Sequence, residues 1–388
     1  MPNLFDYLEW RGDLTLAESP LNEVDNLIFS LLSYVDLEGI IPNHRSGGIT
    51  VREAAAEYFF THPEYASRPL GLIIPADILT LFRRVAHTRR FRDLVLLDYV
   101  NEISEERETQ FSGITVRLPE EGIFVAFRGT DDTIVGWKED FKLSILEEVP
   151  AQTMAADYLN RLDLTPDTKL YIGGHSKGGN LAVWAALKAP DGVQKRIISV
   201  WSNDGPGFHE DILSLPEHQA VAERIVTIVP QSSLVGMILE HDEDYTVVES
   251  NQKGLMQHDG FSWEVKGPAF VRLGAVTRQG RHNDLVLKEW VRNMPLDQRE
   301  KFVEGLFAVL TASGAQTLTD LKEESLKGAK AMVKAMKDME KDTRDALLYA
   351  FRLLGRSSWK VLSEEWQQEW KEAEEKLRSR LASREEKN

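Results

Sequence analysis

Apolar residues recur at helical spacing from Ser19 onward, with Leu21, Val24, Leu27, Ile28, Leu31, Leu32 and Val35 on one face. Ser19 suits the capping position and Pro20 the first helical position, so the pattern predicts an amphipathic helix packed on a core. Similar spacing predicts helices over residues 51–60 and 76–86. The rhythm then changes. Residues 109–111, 114–118 and 122–127 are short β-rich runs separated by Ser-Gly and Glu-Glu-Gly, which reads as an antiparallel meander leading into a sheet. Beyond it, strands over 169–173, 196–201 and 224–229 alternate with helical stretches, the first of them over 177–187. Such alternation predicts a mostly parallel central sheet flanked by helices. From about residue 295 the chain turns to Lys, Glu, Ala, Leu and Met with few turn signals except near Gly355. Its best helical stripe is Trp366, Trp370, Ala373, Leu377 and Leu381. The expected organisation is a helical segment over 1–105, a core over 106–294 and a helical extension over 295–388.

A chain of 388 residues with 42% hydrophobic residues can bury a large core. Its formal net charge of -16 sets a mean field that repels nucleic acid and anionic headgroups, so neither is an expected partner. Cysteine is absent, which removes disulfide frameworks, thiolate metal sites and a cysteine nucleophile. The first residues mix Asp6, Glu9, Arg11 and Asp13 with apolar side chains, unlike a secretory signal, and no apolar run nears the roughly 18 residues of a spanning helix. A cytoplasmic protein without a transmembrane segment is expected.

The chemistry centres on Gly174-His175-Ser176-Lys177-Gly178, followed by Gly179, between an apolar strand and a helix. Glycines on both sides permit a cramped turn that lifts the Ser176 hydroxyl off the sheet. The Lys177 amide then lies where an oxyanion donor is needed. The plainer alternative is a glycine-rich turn that merely caps a helix. A second motif, Phe127-Arg128-Gly129-Thr130-Asp131, ends another apolar strand, with Trp137 and Asp140 close behind.

Together these two motifs resemble the class 3 (fungal-type) lipases, and more closely a bacterial family of uncharacterised lipase-like proteins in that superfamily. The likeness spans about residues 22–263. It implies an α/β-hydrolase fold, an esterase or lipase activity, and a second oxyanion contact from the Thr130 amide with its hydroxyl as a further donor. A structural ion pair between Arg128 and Asp140 is a compatible alternative role for the second motif.

A serine nucleophile needs a base, and histidine suits the task near neutrality. Order along the chain favours His258, in Met256-Gln257-His258-Asp259-Gly260-Phe261, with Trp263 beyond it as in the lipase pattern; His241 and His282 compete. The acid departs from that pattern. Class 3 lipases carry it after the strand that here ends at Pro230, where this chain has Gln231, Ser232 and Ser233. Asp204, in Asn203-Asp204-Gly205-Pro206-Gly207, resembles instead the acid position of the pancreatic lipase branch, and an Asp-Gly turn is its bland alternative. Asp242 and Asp244 are fallbacks, and the two serines would mark a family that orients its histidine differently.

No metal-ligand pattern, phosphate loop or cofactor motif is visible; His44, His62 and His87 are scattered. Met332, Met336 and Met339 read as packing residues. The expected function is serine-dependent hydrolysis of a small-molecule or lipid ester. The alternative is a degenerate hydrolase fold acting as a binding or scaffolding module. The C-terminal helices are candidates for a lid or for self-association into a homo-oligomer.

Overall fold

The computed structural model describes residues 1–42, 47–63, 74–120, 122–143, 146, 148–241, 244–277, 280, 296–317, 319–320, 326–345 and 347. His44, His282, Asp242, Gly355 and the Trp366–Leu381 stripe lie outside the described residues.

The described residues form a nine-stranded sheet. In spatial order it runs β1 (Ile49–Thr50), β2 (Val95–Ser104), β3 (Thr109–Arg117), β4 (Gly122–Phe127), β5 (Lys169–His175), β6 (Ile197–Asn203), β7 (Ile225–Pro230), β8 (Thr246–Val248) and β11 (Arg272–Leu273). A small ribbon of β9 (Val265–Lys266) and β10 (Ala269–Phe270) stands apart. Strands β4 to β8 are parallel; the strands on either side are antiparallel. Period-2 alternation sorts the side chains. Phe124 and Ala126 of β4 enter a core beneath the N-terminal helices α1 (Leu4–Arg11), α2 (Glu23–Leu32), α3 (Val51–Thr61) and α4 (Ile78–Val85). Val125 and Phe127 enter the opposite core, under α6 (Pro150–Asn160) and α7 (Lys177–Lys188). Between β4 and α6 lies α5 (Ile134–Leu143). Helices on both faces of a sheet with a parallel centre are the α/β-hydrolase arrangement.

Three local expectations change. Helix α2 starts at Glu23, because Asn22 caps it: its side chain accepts from the Val24 and Asp25 amides at 2.9 and 3.2 Å, and Asp25 returns a bond to the Asn22 amide at 3.1 Å. Ser19 and Pro20 lie outside it. The Ser112-Gly113 pair is no turn but the middle of β3, where Gly113 pairs with both Val100 and Phe127. Strand β2, which has no clean alternation, lies between β3 and the edge strand β1.

The N-terminal layer is tied down by one charge. Arg90 and Asp25 form an ion pair with both side chains at 0% exposure, and Arg90 also donates to the carbonyls of Leu14, Ser19 and Pro20 at 3.3, 3.0 and 3.3 Å. Tyr7 adds a 2.7 Å bond to Asp25. Among the described residues no helix is long and apolar enough to cross a membrane. Arg90→Met would strand a buried carboxylate, so it should lower the unfolding free energy by about 3–5 kcal/mol. Urea titration checks this, and a loss below about 1 kcal/mol would show that the pair is not the tie.

Candidate active site

Strand β5 delivers Ser176 to the carboxyl edge of the sheet, the edge where open α/β sheets place their sites. Its backbone sits at φ 59°, ψ −135°, a region side-chain-bearing residues avoid at a cost of about 1–3 kcal/mol. Neighbouring structure enforces it. A β-carbon on Gly178 would lie 2.1 Å from the Phe127 carbonyl oxygen, so only glycine lets α7 start this close to β4. The Ser176 amide donates to Asn203 on β6 at 3.0 Å, and the Ser176 carbonyl accepts from Gly179 at 2.9 Å. The Lys177 N–H, at the first position of α7, is one of the helix-start amides that have no acceptor within the helix.

The end of β4 comes alongside. A β-carbon on Gly129 would meet the Tyr34 hydroxyl at 2.2 Å and Ser176 Cβ at 2.8 Å, so this segment and the bend at 176 are in close contact, with Thr130 next in the chain. The Thr130 hydroxyl, however, donates to the Asp140 carboxylate, which corrects its expected use as a further oxyanion donor. Nor do Arg128 and Asp140 form an ion pair. Arg128 donates to Asp131 at 3.1 Å and Asn101 at 3.0 Å, whereas Asp140 faces Thr130 and Lys177.

Lys177 carries a side chain whose part the motif does not reveal. It is 1% exposed and donates from Nζ to Glu139 Oε2 at 2.8 Å and to the carbonyl and side chain of Gln110 at 2.9 and 3.1 Å; Asp140 Oδ1 lies 3.7 Å away. Burial opposes this charge, but Glu139 and Asp140 outweigh it and hold the ammonium above its ordinary pKa. Glu139 also accepts from Thr109 and from the amides of Gln110 and Ala151. Burial pushes the Asp140 carboxyl up to about 6, against the pull of Lys177 and the Thr130 hydroxyl.

Asp204 follows β6 with φ at 51° and 0% exposure. Its Oδ2 accepts from His258 Nδ1 at 2.6 Å, while Oδ1 accepts from the Ser233 hydroxyl and the Gly236 amide. With Nδ1 donating, the lone pair of His258 Nε2 is free to take a proton. A β-carbon on the adjoining Gly205 would approach the Ser176 carbonyl at 2.8 Å, so the acid's loop packs directly on the bend. His258 itself lies on a short 3-10 turn after β8, held by three bonds to neighbouring groups. His175 Nε2 donates to the His258 carbonyl at 2.7 Å, Trp263 Nε1 to the Gln257 carbonyl at 2.9 Å, and the Ser232 amide to Gln257 at 2.8 Å. Burial pushes His175 down to about 3, so its ring is neutral. Since Nε2 carries its hydrogen, Nδ1 accepts from the Tyr34 hydroxyl at 3.2 Å. The structure thus gathers Ser176, His258, Asp204, Thr130 and Lys177 into one cluster. His241 instead bonds the Gly236 carbonyl at 2.8 Å, and Asp244 is exposed.

The Mbeg1-like family model matches residues 85–308, more than half of the chain, and this span holds every residue of that cluster. The chain belongs to the Mbeg1-like family. No curated protein matches this Mbeg1-like chain. Among solved structures it is similar to M37 lipase, with 17% identity over 56% of this chain and 70% of that one at a TM-score of 0.36. It is also similar to native Rhizomucor miehei lipase in its propeptide complex (13% identity, 65% and 82% covered, TM-score 0.31) and to the Lip2 lipase of Yarrowia lipolytica (11%, 59% and 80%, TM-score 0.32). These likenesses are distant.

In the Mbeg1-like chain the Asp140 carboxyl titrates higher folded than its ordinary 3.8, so the folded state holds the extra proton between about pH 4 and about pH 6. The stability from this group is therefore present at low pH and declines as pH rises through that window. Urea midpoints of Asp140→Asn, compared with the native protein across that range, should lack this decline. Parallel curves would refute it.

Proposed function

We propose that this Mbeg1-like protein is a serine hydrolase that cleaves carboxylic esters through an acyl-enzyme at Ser176. The observation that carries the reading is the 2.6 Å bond from His258 Nδ1 to the buried Asp204, beside a serine in a strained bend. His258 Nε2 takes the proton of Ser176 Oγ as that oxygen attacks the ester carbonyl. The amides of Thr130 and Lys177 hold the oxyanion, a service worth on the order of 3 kcal/mol per donor. The His258 imidazolium, stabilised by Asp204, then protonates the departing alcohol. Water next attacks the acyl group, its proton passing to His258 and on to Ser176 Oγ, which restores the serine and frees the acid. Small-molecule or lipid esters are the substrate class, a choice that rests on resemblance.

The missing carboxylate after Pro230 gave the binding-module alternative its force. Asp204, which follows β6 and is braced by Ser233 at that place, supports the catalytic reading against it.

A fluorophosphonate probe should label the native protein and leave Ser176→Ala unlabelled. Failure of the native protein to label, beside a control esterase that does, would defeat the reading. Asp204→Asn should keep the fold yet lower kcat on a p-nitrophenyl ester by about 10³–10⁴, because the wrong tautomer of His258 is then favoured. A drop of less than about tenfold would remove Asp204 from the triad.

A further inference from the structure

Helix α5 is engaged on two sides. One side presents Glu139 and Asp140 to Lys177 and Thr130, which are the groups around the candidate oxyanion site. The other packs Ile134, Trp137 and Phe141 against α8 (Leu296–Thr311), with the Phe141 ring 6.1 Å from that of Phe302 and 5.8 Å from that of Phe307. The loop leading into α5 is gripped as well. Ile134 N–H donates to the Gln316 carbonyl at 2.9 Å, Thr133 bridges to Thr317, and the Thr319 amide donates to Asp132 at 3.0 Å. Lys138 and Lys142 meet Glu304 of α8 at 2.7 and 3.2 Å.

A helix of 10 residues has little stability of its own and takes its place from what packs on it. Here the segment just after Thr130 has the extension on its outer side, and displacement of a catalytic donor by about 1 Å can cost on the order of 100-fold in rate. We propose that the segment over residues 302–317, with Thr319, is a positioning element for the oxyanion site, with Phe307 as its central contact. The extension holds α5, α5 holds Asp140 against the Thr130 hydroxyl, and that bond aims the Thr130 amide. The inference rests on the serine-hydrolase reading for its kinetic consequence, and on packing alone for its structural one.

The test uses the full-length protein with Phe307→Ala and the milder Phe307→Leu. Hydrogen exchange by mass spectrometry should show faster exchange in the peptide covering residues 130–141, with peptides from β4 to β7 unchanged. On a p-nitrophenyl ester kcat should fall about tenfold in Phe307→Ala with KM within twofold, and Phe307→Leu should return to within about threefold of native. Fluorophosphonate labelling should slow in step with kcat. Unchanged exchange over 130–141 in both variants overturns the coupling. So does faster exchange there with native labelling and kcat. Should Phe307→Ala lose its fold, the same two criteria applied to Phe307→Leu decide. If the native protein neither labels nor hydrolyses esters, the serine-hydrolase reading fails, while exchange still decides whether the extension holds α5.

Discussion

A serine with φ at 59° at the end of a parallel strand is the constraint on which the rest of the site is built. Such a backbone relaxes unless its surroundings leave no alternative. Here the bend is closed on three sides: by β4 through the gap at Gly178, by β6 through the Ser176–Asn203 bond, and by the Gly129 segment against Ser176 Cβ. The same closeness brings the candidate oxyanion amides together, since both belong to the segments that press on the bend. Strain and preorganisation are thus one feature seen twice, and the parallel register of β4, β5 and β6 supplies both.

The second organising element is electrostatic. Lys177 places a buried cation one residue from Ser176. Unpaired, it would be too costly to bury. Glu139 neutralises it and is itself satisfied by Thr109, Gln110 and Ala151, so the pair is anchored in β3 and α6 as well as in α5. Asp140, one residue on, is then held between the cation and the Thr130 hydroxyl. The bend and the Thr130 segment are consequently joined by charge as well as by contact.

Periodicity and motif carried the parts of this molecule in which local chemistry and global fold agree. The strand into Gly174-His175-Ser176 and the helix from Lys177 need no distant partner to be recognised, because glycine spacing and an apolar run state the geometry by themselves. The start of α2 was less legible: Ser19-Pro20 carries a cap signature, but the fold caps the helix at Asn22, where Asp25 returns a reciprocal bond. Ser112-Gly113 reads as a turn until both neighbouring strands exist to pair it. Side-chain partners across long separations were not legible at all. Lys177 with Glu139, Tyr34 with His175 and the α8 aromatics with Phe141 are joined only by folding. A clue for the first pair did exist: a lysine in the middle of a serine elbow, between strand and helix, is readily buried, and a buried lysine needs an acid.

The place of the candidate acid, Asp204, is a departure from the lipase-like pattern with a physical compensation. A carboxylate that serves His258 must reach Nδ1 and must itself be held still. Moving it from the end of β7 to the end of β6 requires the chain to turn back at once, and Asp204 does so in the left-handed region, with Gly205 so tight against Ser176 that a side chain would not fit. The vacated position is not idle. Ser233 there donates its hydroxyl to Asp204 Oδ1, and the Gly236 amide adds a second bond, so the loop after β7 supplies hydrogen-bond donors to the carboxylate that follows β6. Here one carboxylate oxygen lies on the imidazole and the other is fixed by the loop after β7. Because the requirement concerns the carboxylate's position and not the strand that carries it, the fold can relocate the residue without altering the interaction it makes.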